Sequence, residues 1–187
     1  MTETASEEIG MDLWHPMPLT PIQKGIWATT RMGADHSSAY NMPYCFELRG
    51  RLDVDALDDA VQAVGRRYPQ LTSRVTTELG ELHFKPSDQP IPFVVHQVDP
   101  PDASADAGMD LIESLANYAF DLGHEGPSRV DVVALSDDHH LLSVLVHHVV
   151  FDGASAALFF DALSEAFASG LDGAGEVAPE VGFVTYA

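Results

Sequence analysis

Cysteine is nearly absent from this 187-residue chain. The single thiol, Cys45, excludes an intrachain disulfide and reads as a small core residue in an apolar segment. That scarcity fits a reducing compartment, and a soluble, cytoplasmic protein is the expectation. Basic residues are almost as scarce: nine Lys and Arg stand against 29 Asp and Glu, a formal charge of −20. So few cations cannot build the basic face that nucleic acid requires. An anionic membrane surface would repel the chain. Neither is expected as a partner, and the acidic surface reads as solubilising. No apolar run reaches membrane-spanning length. Met1 to Asp12 carries no basic residue and no long apolar stretch, so no signal peptide is expected. A nucleophile elbow and a Gly-rich phosphate loop are both missing, which removes the usual marks of a covalent hydrolase or a nucleotide enzyme.

What is present is a globular composition, 45% hydrophobic and 20% charged, in a length suited to one domain with a real core. Residues 1–17 read as a flexible acidic tail. Thr20-Pro21-Ile22-Gln23 opens a helix with a cap, a first-position proline and a capping box, and the helix is expected to reach about Met32. Gly33 to Ser38 reads as a loop, and Tyr44 to Leu48 as a strand. Asp53 caps a second helix whose Val54, Leu57, Val61 and Val64 form one apolar face, ended by Pro69. Thr72 to Thr77 and Leu82 to Lys85 flank Leu79-Gly80 as a hairpin. Phe93 to Val98 reads as a strand, Asp99 to Asp102 as a loop, and Met109 to Phe120 as a helix. Arg129 to Leu135 and His140 to Val149 read as strands, the second apolar enough for burial on both faces. Ser155 to Ala168 reads as a helix stopped by Gly170, and residues 171–187 as a connector. Interleaved strands and helices give an α/β or α+β class with a mixed sheet.

The chemistry concentrates in His147-His148-Val149-Val150-Phe151-Asp152-Gly153. Neighbouring strand residues point to opposite faces, so one histidine reaches a cleft while the other packs inside; alternation does not say which. Gly153 permits a sharp turn into a helix, and Asp152 can orient a neighbour, cap that helix or enter an ion pair. A histidine, a carboxylate and a helix N-terminus at a strand end suit general-base chemistry or the positioning of a nucleophile. The competing readings are a histidine satisfied by a backbone carbonyl, and a metal site from His147, His148 and Asp152, which the divergence of adjacent side chains disfavours. His139 and His140, about 23 Å away along an extended strand, read as surface turn residues.

The motif His147 to Gly153, followed by Ser155, resembles the signature of nonribosomal peptide synthetase condensation domains. Other blocks resemble the same family in the same order: Leu19 to Trp27 with Gln23 and Trp27, Tyr40-Asn41, Leu48 to Asp53, Arg67 to Val75, Phe120-Asp121-Leu122, Gly126-Pro127 with Arg129, and Tyr186-Ala187. The resemblance implies an α/β (α+β) sandwich, a chloramphenicol-acetyltransferase-like lobe with a mixed β-sheet flanked by helices. It implies amide-bond formation between a donor acyl thioester and the amine of an acceptor aminoacyl thioester. Both would be carried on phosphopantetheine arms of donor and acceptor peptidyl carrier proteins, with no directly bound cofactor and no metal. It assigns catalysis to His148, a structural role to His147, loop support to Asp152, and close backbone approach to Gly153.

In the Arg67 to Val75 block, Tyr68 replaces the family's usual histidine. Thr72 replaces its usual arginine, the expected ionic partner of Asp152, so Arg67 and Arg74 become the candidate partners. Family members are more than twice as long. The expectation is therefore an N-terminal lobe over residues 18–170, with residues 171–187 leading toward a missing C-terminal lobe. That lobe alone is expected to be inactive and to expose an apolar face. An epimerization-domain lobe and a noncatalytic recruitment module of the same fold are the alternative readings; such modules usually show a damaged histidine motif, which is intact here.

Overall fold

The computed structural model describes residues 16–98 and 104–171. The acidic tail to residue 15, the Asp99 to Asp102 loop and the connector beyond Leu171 lie outside the described residues. Among the described residues, seven strands and five α-helices follow in order: β1 (Met17–Pro18), α1 (Pro21–Thr30), α2 (Ala34–Ser38), β2 (Asn41–Arg49), α3 (Val54–Arg67), β3 (Arg74–Glu78), β4 (Glu81–Lys85), β5 (Phe93–Gln97), α4 (Ala105–Ala116), β6 (Ser128–Ser136), β7 (His139–His147) and α5 (Gly153–Leu171).

The main sheet has the order β2-β7-β6-β5. Its β2/β7 and β7/β6 pairs are antiparallel and its β5/β6 pair is parallel, so the sheet is mixed as expected. A smaller antiparallel sheet, β1-β4-β3, lies beside it. Strand β7 is central and covered on both faces, as its continuous apolar character predicts. Leu142, Val144 and Val146 face the core shared with α3 and α5, where Leu57, Val61 and Phe159 are buried. On the opposite face, Leu141 packs with Ile112 of α4, while Leu145 joins Leu19, Phe120 and Val149. Each such buried aliphatic side chain stabilises the fold by roughly 1.5–3 kcal/mol.

Local chemistry explains most boundaries. Thr20 caps α1, and the full capping box with Gln23 is present. Asp53 accepts from the Ala56 N–H at the start of α3. Leu79 and Gly80 both take positive φ, 52° and 84°, the conformation of a tight two-residue hairpin turn. Gly126 fits where a Cβ would meet the Thr72 Cα at 2.8 Å and the Leu71 carbonyl oxygen at 3.0 Å. The same Leu71 carbonyl accepts from the Ser128 hydroxyl at 2.6 Å, so the segment entering β6 is pinned to the turn before β3.

Several expectations are corrected. Met17, expected in the tail, pairs with Phe84 in the small sheet. Residues 34–38 form a short helix rather than a loop. The helix expected from Met109 begins at Ala105, because Ser104 caps it through the Ala107 N–H, and it ends at Ala116. Gly170 lies within α5 rather than ending it. His140 is buried in β7, opposite Leu48, and burial beside His139 lowers its pKa. His139 Nε2 lies 2.7 Å from a Glu47 carboxylate oxygen. These two histidines are therefore strand residues, not surface turn residues.

Candidate active site

Strand β7 ends at His147, which pairs directly with Asn41 at the start of β2. His147 is fully buried. Its ring lies 6.0 Å from those of Tyr40 and Phe120. Its Nδ1 accepts from the Val149 N–H at 3.1 Å, which places the ring proton on Nε2, toward the Ser37 carbonyl but outside good hydrogen-bond geometry. Burial lowers its pKa from 6.5 to about 4. This imidazole is neutral at physiological pH and holds the turn that follows.

His148 leaves the strand and is exposed. Its backbone N–H donates to the Tyr40 carbonyl at 2.8 Å. Its ring Nδ1 lies 2.5 Å from the Phe151 carbonyl oxygen. A carbonyl only accepts, so Nδ1 carries the proton and the neutral ring keeps its lone pair on Nε2. The side chain lines an open trough of about 760 Å³ between α1 and the turn into α5, with Gln23, Tyr40, Asp152 and Ser155 among its walls. Ile22, 76% exposed, stands on its α1 side.

Gln23 joins the two sides. Its Nε2 donates to the Val149 carbonyl at 2.9 Å, while its Oε1 accepts from the Thr20 N–H at 2.9 Å. The capping box at Gln23 is legible in the sequence; its reach across to Val149 is not.

Asp152 caps α5. Its Oδ1 accepts from the Ser155 N–H at 2.8 Å and from the Ser155 hydroxyl at 2.7 Å. These bonds lower its pKa, with a smaller contribution from His148. The expected ion pair is not formed: Asp152 meets neither Arg67 nor Arg74. Arg67 reaches Glu165 of α5 at 3.1 Å instead. The buried Nε of Arg74 has no hydrogen-bond partner. Thr72 is too short to reach across and donates to the Pro69 and Ser87 carbonyls. Gly153 has no atom within 4 Å of where a Cβ would stand, and its φ is not in the left-handed range. Packing within the described residues therefore does not require glycine there.

The chemistry this permits is narrow. Ser155 gives its hydroxyl proton to Asp152 and Thr20 gives its own to Gln23, so neither is hydrogen-bonded to His148 as a nucleophile. Among the described residues, no Lys or Arg lines the trough. Among the described residues, the site thus sets a histidine and a carboxylate on one trough, with no side-chain nucleophile hydrogen-bonded to that histidine. Among the described residues, no group of three or more His, Cys, Asp or Glu is placed to hold a metal ion.

A second polar network, which the sequence reading missed, lies beneath the site. Buried Asp131 accepts from Arg129 at 2.7 and 2.8 Å and lies 2.8 Å from His96 Nε2. The Arg129 guanidinium stacks over Tyr118 at 4.7 Å. Tyr118 packs edge-on against Phe120, the neighbour of His147. Alternation along Arg129-Val130-Asp131-Val132 would turn Asp131 away from the core, so its burial is not legible in the sequence.

The model of the condensation domain matches residues 15–187 of this chain. The chain belongs to the condensation-domain family. Among curated relatives, the condensation-domain chain is 30% identical over 160 residues to chondramide synthase of Chondromyces crocatus, covering 82% of this chain and 4% of that synthase. It is 28% identical over 160 residues to cyclosporin synthetase of Tolypocladium inflatum, covering 86% of this chain and 1% of the synthetase. Among solved structures, the starter condensation domain of rhizomide synthetase superposes with a TM-score of 0.77 at 14% identity, covering 89% of this chain and 40% of that one. The X-domain from teicoplanin biosynthesis superposes with a TM-score of 0.71 at 29% identity, covering 90% and 36%. The chain thus spans well under half of the condensation-domain structures it matches and a few per cent of the synthetases. The mixed sheet flanked by helices is the fold of these neighbours.

Proposed function

We propose that this chain supplies the histidine-bearing lobe for amide-bond formation in nonribosomal peptide synthesis. The observation that carries this reading is the His148 geometry: Nδ1–H held on the Phe151 carbonyl and Nε2 free toward the trough. The amine of an acceptor aminoacyl thioester attacks the carbonyl carbon of a donor acyl thioester. A C–N bond forms, the C–S bond breaks, and Nε2 takes the amine proton and returns it to the departing thiolate. The Phe151 carbonyl keeps the other ring proton throughout, and ionised Asp152 nearby favours the transient imidazolium. Positioned general-base catalysis of this kind contributes about 10²–10⁴ in rate.

Both thioesters would be presented on phosphopantetheine arms of donor and acceptor carrier proteins, and a C-terminal lobe would supply the remaining walls of the trough. The activity is assigned to that assembled domain, and the lobe alone would be inactive. Donor and acceptor carriers loaded with their thioesters are mixed with the assembled domain or its His148→Ala variant and followed by intact-protein mass spectrometry. Condensed product that disappears in the variant supports the reading. Undiminished product in the variant refutes it.

One observation favours a second reading. The X-domain neighbour, at 29% identity, has been solved in complex with OxyB, so a lobe of this kind can serve to recruit another enzyme. A folded, assembled domain that forms no product yet retains a partner enzyme would favour recruitment.

A further inference from the structure

Gln23 performs two tasks with two different atoms. Its Oε1 serves α1, accepting from the Thr20 N–H and hydroxyl at 2.9 and 3.0 Å. Its Nε2 serves the histidine turn, donating to the Val149 carbonyl at 2.9 Å, 126 residues further along the chain. Val149 follows His148 directly and is only 2% exposed. Its N–H is already held by His147 Nδ1. Gln23 therefore fixes the second of the two peptide groups that flank Val149. Two residues on, the Phe151 carbonyl fixes the His148 ring. Without the Gln23 amide, the part-buried Val149 carbonyl lacks its donor, and its peptide plane turns toward water. That rotation passes along the turn to the Phe151 carbonyl.

We propose that Gln23 is a positioning residue that sets the His148 tautomer through the Val149 carbonyl, separately from its role in capping α1. This rests on the reading of His148 as the base. The two roles can be separated because Glu satisfies a capping box as well as Gln does but has no N–H to donate. Gln23→Glu should keep α1 and lose the tether. Thr20→Ala should weaken the start of α1 and keep the tether. Gln23→Met, uncharged and similar in shape, controls for the charge that Glu brings.

The measurement is long-range ¹H–¹⁵N NMR of the His148 ring in the chain itself, recorded across a pH series. The expected result is a single Nδ1–H pattern in the parent and in Thr20→Ala, replaced by a mixture in Gln23→Glu and Gln23→Met. In the assembled domain, kcat should fall roughly 10–100-fold with KM unchanged for the two Gln23 variants. An unchanged single tautomer in both Gln23 variants overturns the proposal. So does an equal mixture in Thr20→Ala, because the effect would then pass through α1 as a whole. Failure of the base assignment itself has a different signature: product formation that survives His148→Ala, whatever the tautomer spectra show.

Discussion

Acid should weaken this fold at His147 in particular, the group with the largest pKa shift among the described residues. Its ring is wholly enclosed, and burial lowers its pKa from 6.5 to about 4. The folded state keeps the ring neutral over a range in which the unfolded chain binds a proton there. Above about pH 6.5 both states are neutral and nothing is lost. As the pH falls toward 4 the unfolded state gains the proton and the folded state does not, so stability declines. A separation of about 2.5 units corresponds to about 3 kcal/mol, complete only below the folded pKa. The many carboxylates also titrate in this range, so the effect is read as a difference between two proteins. His147→Asn removes the titrating ring but keeps an acceptor for the Val149 N–H. Urea unfolding followed by circular dichroism, at steps between about pH 7 and pH 4, gives both curves. The variant should start less stable, and the gap should close by about 3 kcal/mol on acidification. Two parallel curves would refute the reasoning, because His147 would then titrate alike in both states.

Other substitutions test the packing around the site. Gly126→Ala drives a methyl group into the Thr72 and Leu71 backbone, which cannot rotate away, and should cost about 2 kcal/mol in urea unfolding. Arg129→Met strips buried Asp131 of its bidentate partner and should cost roughly 3 kcal/mol by the same assay. Gly153→Ala meets open space at the start of α5, so thermal unfolding should show unchanged or slightly raised stability. If Gly153→Ala nevertheless slows condensation, the methyl group obstructs substrate rather than the fold.

Much of the scaffold was legible because its signals are local. The Thr20–Gln23 capping box, the Asp53 cap and the apolar face of α3 each follow from a few adjacent residues, and all appear in the structure. Strand β7 was legible because its apolar run is short, rich in Leu and Val and without alternation, as suits a strand buried on both faces. The misplaced elements depend on contacts. The start of α4 was hidden in an Ala/Asp/Ser run that reads as low complexity until Ser104 is seen to cap it. It ends at Ala116, and beyond it Phe120 packs edge-on against His147 while Tyr118 packs edge-on against Phe120. Gly170 did not end α5, because glycine lowers helix propensity without forbidding a helix.

The candidate site was legible as a location and only partly as geometry. Adjacency showed that His147 and His148 must diverge, but not which would be enclosed. That depends on Tyr40 and Phe120, far away in sequence, closing over one face. The Asp152 ion pair expected from Arg67 or Arg74 failed for a local reason: Ser155, three residues on, takes the carboxylate first, and Arg67 finds Glu165.

The central claim is that His148 presents an unprotonated Nε2 to the trough. The most direct test is the ¹⁵N spectrum of its ring in the unmodified chain at a pH where the imidazole is neutral. The account predicts a protonated Nδ1 and a lone pair on Nε2. A ring protonated on Nε2 would contradict it, because the nitrogen facing the substrate would then have no lone pair with which to take the amine proton.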